Sequence, residues 1–237
     1  MVDLLYRKDP YLSSAPARVV TVNDRGGITL DAPLFYPTGG GQAGDAGEIS
    51  WGDQRLPIAT TVASDEGPVL VPQDTATLPA EGTEVTQTLD WERRLRCMRL
   101  HTCLHLLSVV VPLPVTGGQI THEKGRLDFD MPDAPEDRQA IEDQLNALIL
   151  EDHPVTEQWI TDAELDANPG LVKTISVAPP RGKGRIRLVR IGDGPAPVDL
   201  QPCGGTHVRR TSEIGPVRLG KIEKKGKRNR RISVLLA

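Results

Sequence analysis

The sequence predicts an α+β protein, with a small antiparallel β-barrel over residues 1–90 followed by an α+β domain over 91–237. Three observations lead there. Up to Leu89, short β-type runs alternate with turn signals and no helical period persists; one long helical pattern then occupies Trp91 to Val110; beyond it, strand and helix patterns are mixed.

In the first region Ala17-Arg18-Val19-Val20-Thr21-Val22 is a β-branched run, Asn23-Asp24-Arg25-Gly26-Gly27 a turn, and Ile28-Thr29-Leu30 the returning strand. The rhythm continues through Gly47-Glu48-Ile49-Ser50-Trp51 and Thr83 to Leu89, and such strands, with no helix to cover them, pack as a barrel. Phe35 to Gly47 interrupts the pattern with too many glycines for a simple hairpin. Its Gly39-Gly40-Gly41-Gln42 could bring bare backbone N–H groups close to phosphate or carbonyl oxygens, with a flexible surface loop as the alternative.

The helix from Trp91 to Val110 is started by Asp90 as N-cap and stopped before Pro112. Leu95, Met98, Leu104 and Leu107 supply its packing face. Arg93, Arg94, Arg96 and Arg99 crowd its N-terminal half, where positive charge opposes the helix dipole, so they read either as phosphate contacts or as a solvated basic face. Next come a polar loop and short strand (Thr116 to Gly125), a strand (Arg126 to Asp130) and a helix from Pro135 to Leu150, capped by Asp133, with Ile141, Leu145, Leu148 and Ile149 at helical spacing. Strands follow over Val155–Ile160, Thr174–Val177 and Arg185–Ile191, with a short helix near Ala163–Ala167. Arg218, Lys221, Lys224, Lys225, Lys227, Arg228, Arg230 and Arg231 then precede the apolar strand Ile232 to Leu236, which reads as a basic hairpin tip: a nucleic-acid footprint or a solvated charge run.

A hydrophobic share of 38% with 25% charged residues indicates a globular protein, and aromatics at 3% exclude widespread base stacking on aromatic platforms. Residues 1–90 carry 5 Lys/Arg against 13 Asp/Glu and the remainder 23 against 19, so a polyanion is expected on the C-terminal part. Three cysteines form no even framework, which speaks for a reducing compartment and against a disulfide-linked partner. No apolar run approaches the roughly 20 residues of a membrane span, and the polar start from Met1 to Asp9 does not read as a signal peptide. A cytoplasmic location is expected.

The chemistry concentrates in His101-x-x-x-His105 and Cys203-Gly204-Gly205-Thr206-His207. On a helix the i, i+4 spacing puts both imidazoles on one face, and Cys-x-x-x-His around two glycines reads as a turn that returns two more ligands to the same ion. Three imidazoles and a thiolate satisfy the charge and softness of one zinc ion. Cys97, one turn before His101, could replace Cys203 as the sulfur ligand. Cys103 and His153 read as structural, and His122 could lie near the site. Thr102 stands where a His-Glu-x-x-His protease has its general base, which disfavours peptide hydrolysis. Four protein ligands describe a closed, structural site unless one of them, Cys203 foremost, is exchangeable or other groups orient the water.

These motifs resemble the freestanding alanyl-tRNA editing proteins, which are similar to the editing domain of alanyl-tRNA synthetase. The resemblance covers nearly the whole chain: the two zinc motifs above, and Gly39-Gly40-Gly41-Gln42 as the N-terminal glycine-rich motif. The glycine-rich motif and barrel make it similar to the medium-length members, since the shortest lack that domain. The resemblance departs at Leu104, where the family often has a small residue or threonine before the second histidine. It implies a β-barrel fused to an editing domain related to that of threonyl-tRNA synthetase, and hydrolysis in trans of the ester in Ser-tRNA(Ala), with Gly-tRNA(Ala) as a further substrate. By position it implies His101, His105, Cys203 and His207 as ligands of one zinc ion, Gln119 and Thr121 as contacts to the aminoacyl group, and Gly40, Gly41 and Gln42 as substrate-binding residues. The tRNA(Ala) acceptor arm would lie on Arg96, Lys224, Lys225 and Arg228. The rival expectation is a non-catalytic RNA-binding, translation-associated module whose zinc is structural.

Overall fold

A computed structural model describes residues 3–135, 137–174 and 184–237. The chain divides into two compact units, Met1–Arg96 and Cys97–Ala237.

In the first unit a short helix α1 (Leu5–Lys8) precedes six strands: β1 (Ser14–Val22), β2 (Ile28–Leu30), β3 (Gly47–Trp51), β4 (Gln54–Ser64), β5 (Gly67–Pro72) and β6 (Glu84–Leu89). They close into an antiparallel barrel in the order β1-β2-β5-β4-β3-β6, which removes every exposed edge. Strict alternation in β6 buries Val85, Gln87 and Leu89 and exposes Glu84, Thr86 and Thr88. Ile28, Leu34, Phe35, Ile49, Ile58 and Leu70 fill the core. Gln87 is tolerated among them because its amide is satisfied at both ends: Oε1 accepts from Leu34 N at 2.8 Å and Nε2 donates to Ala32 O at 2.9 Å.

The glycine-rich segment is more compact than expected. Gly39 and Gln42 exchange backbone hydrogen bonds of 3.1 and 2.9 Å, so Gly40 and Gly41 are the two central residues of a tight reverse turn. Their φ angles of 56° and 82° are the left-handed pair that such a turn demands and that glycine supplies without strain. Gln42 is 0% exposed, so its side chain takes part in the packing of the loop.

The arginines of the central helix also need correction. α2 (Trp91–Val110) starts where expected, Asp90 Oδ1 accepting from Arg93 N at 3.1 Å. Arg94, however, is fully buried and bound to Asp45, with Nε 3.0 and 2.9 Å from its two carboxylate oxygens. Nη1 and Nη2 donate to Pro10 O and Leu34 O at 3.0 and 2.9 Å, and Tyr36 N donates to Asp45 Oδ2 at 2.6 Å. A buried charge is tolerated only with such complete pairing, so Arg94 holds the fold and does not meet phosphate. Arg99 likewise spends Nε on Ile214 O at 2.7 Å. Leu95 is half-buried, whereas Met98, Leu104 and Leu107 pack as expected.

The second unit continues with β7 (Val115–Ile120), β8 (Gly125–Asp130), α3 (Arg138–Leu150), β9 (Val155–Ile160), α4 (Asp162–Ala167), β10 (Ile186–Ile191), β11 (Asp199–Pro202), β12 (Val217–Leu219), β13 (Glu223–Lys224) and β14 (Asn229–Leu236). One sheet runs β12-β14-β8-β7 with β13 also on β14; the other runs β11-β10-β9. α3 begins later than Asp133 implies, because Asp137 is the residue whose side chain accepts from Ala140 N. Its side chains then cap the edge strand β12: Asn146 exchanges two 3.0 Å bonds with Val217, and Glu142 accepts from Leu219 N at 2.7 Å. The strand expected over Thr174–Val177 lies, beyond Thr174, outside the described residues; Thr174 itself bridges Val115. Among the described residues no helix is long and apolar enough to cross a membrane.

Candidate metal centre

Two turns of α2 present His101 and His105 side by side, and the loop after β11 brings Cys203 and His207 to them. The four donor atoms lie within 4.8 Å of one another, and the three imidazoles are buried. Cys97 is buried elsewhere on α2, so Cys203 is the sulfur of the cluster; among the described residues the three cysteines are free thiols. A tetrahedral ion with ordinary bond lengths separates a nitrogen and a sulfur donor by about 3.6 Å. Cys203 Sγ lies 3.4 Å from His101 Nε2 and 3.2 Å from His207 Nε2. The set could hold a metal ion and is consistent with zinc.

The surrounding groups orient the donors. Asp199 Oδ2 accepts from His105 Nδ1 at 2.8 Å, and Thr102 Oγ1 lies 3.1 Å from His207 Nδ1 while donating to Met98 O and accepting from Val208 N. With its one proton given to Met98 O, Thr102 receives the Nδ1–H of His207, whose neutral ring turns an unprotonated Nε2 toward the cluster, while Asp199 takes the Nδ1–H of His105 and leaves Nε2 as the nitrogen that ring offers a metal. Gly205 N approaches Cys203 Sγ at 3.5 Å. Asp199 is itself held by Lys173 Nζ at 2.5 Å and Gln201 Nε2 at 2.8 Å. Arg187 fixes the ligand loop from below, Nη1 donating to Cys203 O at 2.8 Å and Gly205 O at 2.9 Å, Nη2 to Glu157 at 2.6 Å. Gly204 and Gly205 do not take left-handed backbone, contrary to the expected reason for their presence; a Cβ on Gly204 would meet open space.

Electrostatically the cluster is poised to ligate. Burial alone would raise the Cys203 thiol, but His101 and His207 pull it well below the ordinary thiol range. Burial and then the charge of His101 push His207 down to about 3, which keeps it neutral. For His105 burial acts downward, yet its bonds to Asp199 and Cys203 outweigh that and raise it to about 9, so at neutral pH this ring keeps a proton that an ion has to displace. Asp199, despite burial, is lowered to about 2 by His105 and Lys173. Burial pushes Cys103 up, which leaves it an inert core thiol.

The remaining expected residues are dispersed. Gln119 is exposed on β7 with Oε1 accepting from Arg126 Nε at 3.0 Å. Thr121 closes the β7–β8 turn, its hydroxyl donating to Lys124 O at 3.2 Å and accepting from Glu123 N and Lys124 N at 3.3 Å. This hairpin packs on α2 beside the histidines, since a Cβ on Gly125 would touch the Leu104 side chain at 3.2 Å. Arg96 is half-buried. Lys224 and Lys225 flank the tip of the β13–β14 hairpin with Arg228, all exposed, Lys225 paired with Glu223 and Arg228 with Asp130. Sequence reasoning missed Asp199, Lys173 and Arg187. Only Asp199 had a local signal: Asp199, Gln201 and Cys203 alternate as residues on one face of a strand do.

The chain is similar to known proteins over nearly all its length. A family model described as "Threonyl and Alanyl tRNA synthetase second additional domain" matches residues 186–233, which include Cys203 and His207. The alanyl-tRNA editing protein AlaX-M of Methanosarcina acetivorans is 31% identical over 98% of this chain and 98% of its own length. AlaX-L of Pyrococcus horikoshii is 34% identical over 96% of this chain, which spans 56% of that protein. The alanine–tRNA ligase of Pyrobaculum aerophilum is 34% identical over 93% of this chain, which corresponds to 25% of the ligase.

Proposed function

The chain belongs to the family of alanyl-tRNA editing proteins, and from that premise we propose that it is a trans-acting, zinc-dependent deacylase of mischarged Ser-tRNA(Ala), with Gly-tRNA(Ala) as a further substrate. The domain reading goes with it: residues 1–90 form the barrel domain with the glycine-rich loop, and 91–237 the editing domain. The observation that carries the proposal is the convergence of His101, His105, Cys203 and His207 within 4.8 Å. A zinc ion held by these four would supply a Lewis acid for the ester and a fixed positive charge in the pocket. The protein's own part is orientation. Asp199 and Thr102 hold the rings of His105 and His207 with Nε2 turned inward, and Arg187 holds the backbone carbonyls of the ligand loop.

Selectivity against correctly charged Ala-tRNA(Ala) has to come from the serine hydroxyl. A site that hydrogen-bonds this group leaves its own polar atoms unpaired when alanine enters, a larger penalty than one methyl group can impose. Gln119 suits that role, because its bond from Arg126 occupies Oε1 and leaves the amide NH2 to donate. Thr121 contributes through the turn it closes. Gly40 and Gly41 offer backbone to the substrate, while Arg96, Lys224, Lys225 and Arg228 take the acceptor arm. The second reading, a non-catalytic RNA-binding module with a structural metal, is favoured by the donor count: four protein ligands fill a tetrahedron. Rates of deacylation on Ser-, Gly- and Ala-tRNA(Ala), with and without chelator and with the fold followed by circular dichroism, separate the two. Seryl release that vanishes with the metal while the fold persists supports the enzyme; seryl release that survives metal removal refutes the zinc-dependent reading, and none under any condition leaves the binding module.

A further inference from the structure

The register of the β11-β10-β9 sheet sorts its residues onto two faces. Val155, Glu157 and Trp159 share one face with Ile191, Val189 and Arg187, and with Asp199 and Gln201. This is the face turned to the metal cluster, since Asp199 binds His105 and Gln201 reaches Ser108 of α2 at 3.3 Å. The opposite face is filled by Ile160, Ile186, Leu188 and Leu200 against Leu165 of α4.

Trp159 thus stands beside the site, and it is 43% exposed, in a chain with only 3 tryptophans. An indole is ordinarily well buried, and this one is open to solvent on the face that carries Asp199 and Gln201. Arg187, its partner across the ladder, lies between it and the ligand loop, bonded to Cys203 O and Gly205 O. Cys203 N in turn donates to Arg187 O at 3.2 Å, so Cys203 follows as the next strand position. Two strand spacings, about 10 Å, therefore separate the backbones of Trp159 and Cys203. That is the reach of one nucleotide, from an ester on the terminal ribose to its base. Beyond Cys203 the ligand loop is open at Gly204, where an added Cβ meets no atom within 4 Å.

We infer that Trp159 is the stacking platform for the 3′-terminal nucleobase of the RNA whose ester is presented to the metal cluster. The inference rests on the deacylase reading and adds a subsite to it. A π-face takes any base, so Trp159 anchors the terminal nucleotide without reading sequence, and Arg187 keeps the platform and the ligand loop in register.

The test measures binding of uncharged tRNA(Ala), intact or lacking its 3′-terminal adenosine, to the wild type, Trp159→Ala and Trp159→Phe, beside deacylation of Ser-tRNA(Ala). Loss of the stack should weaken Trp159→Ala about 10-fold on intact RNA, with no further loss on truncated RNA. The wild type should lose a similar factor on truncation, and Trp159→Phe should stay within about 3-fold of the wild type because a phenyl ring still stacks. The inference is overturned if Trp159→Ala binds intact tRNA as the wild type does, or loses equally on both RNAs. It is also overturned if Trp159→Ala changes the sedimentation of the protein, which would make this edge a protein interface. A wild type that binds the RNA yet never releases serine removes the deacylase reading and this inference with it, whereas normal seryl release with an indifferent Trp159→Ala removes this inference alone.

Discussion

Asp199 Oδ2 and His105 Nδ1 lie 2.8 Å apart across 94 positions of sequence. The bond decides which nitrogen of His105 carries the proton, and so which one can bind a metal. Because Lys173 holds the other oxygen of the same carboxylate and Gln201 donates to Oδ2 as well, Asp199 cannot rotate away from the ring without giving up several bonds at once. Outer groups of this kind are commonly worth 10–100-fold in metal affinity. Asp199→Asn and Thr102→Val should each weaken zinc binding by about 10-fold or more, read by competition with a chromogenic chelator. Wild-type affinity in Asp199→Asn would show that His105 needs no orienting partner.

The ligands themselves should behave as a unit. Wild-type protein is expected to carry one zinc per chain by elemental analysis, and His101→Ala, His105→Ala or Cys203→Ala to lose it along with seryl release. Cys97→Ala should keep its metal, since Cys97 is buried away from the cluster. Loss of metal in Cys97→Ala, with Cys203→Ala still loaded, would exchange the roles of the two thiols.

The buried pair Arg94–Asp45 tests the fold of the first unit. Removing one partner strands a charge, so Arg94→Met should cost about 3–5 kcal/mol in denaturant unfolding. The double variant Asp45→Asn, Arg94→Met should recover part of that loss, because no unpaired charge remains and Asn can still accept from Tyr36 N. A single variant as stable as the wild type would mean that the pair adds nothing.

Much of this architecture can be read from local pattern, and what cannot be read shares one physical origin. The barrel follows from alternation such as that of β6, and α2 from Asp90 and the spacing of its apolar residues, because those signals act within a few residues. Arg94 is illegible because its meaning lies in Asp45, 49 positions away, and in isolation a buried arginine looks like any surface one. Asp199, Lys173 and Arg187 are hidden for the same reason: their partners are supplied by the tertiary fold. The glycine-rich segment misleads locally, since Gly40 and Gly41 serve a two-residue turn whereas Gly44 is needed where Thr61 O, from a strand distant in sequence, approaches within 2.0 Å of where a Cβ would stand.

Acid should act through Asp128. Burial raises its carboxyl, but the paired bonds from Arg231 at 2.8 and 2.9 Å and the charge of Arg126 outweigh this and hold it below the usual carboxylate value. A group depressed in the fold contributes stability above its unfolded pKa, about 4, and loses it as the pH falls through the folded value. The stability gap between the wild type and Asp128→Asn, measured as urea midpoints, should therefore be widest at neutral pH and shrink progressively as the pH falls below about 4. A gap that stays constant would remove the ionisation of Asp128 from the account.

Charge at the β13–β14 hairpin tip should govern substrate capture and leave the chemistry alone. The triple variant Lys224→Glu, Lys225→Glu, Arg228→Glu is expected to raise KM for Ser-tRNA(Ala), keep kcat, and flatten the dependence of binding on salt by up to about 0.9 in slope for each phosphate that is no longer neutralised. The three residues are not equivalent. Lys225 is paired with Glu223 at 2.6 Å and Arg228 with Asp130 at 2.9 Å, so each must leave a carboxylate before it can meet a phosphate. Lys224 stands exposed on the strand with no such exchange to make among the described residues, and its single reversal should produce the largest of the three individual losses. If the triple variant turns over a small seryl ester and Ser-tRNA(Ala) with unchanged KM and an unchanged salt slope, the acceptor arm does not lie on this hairpin.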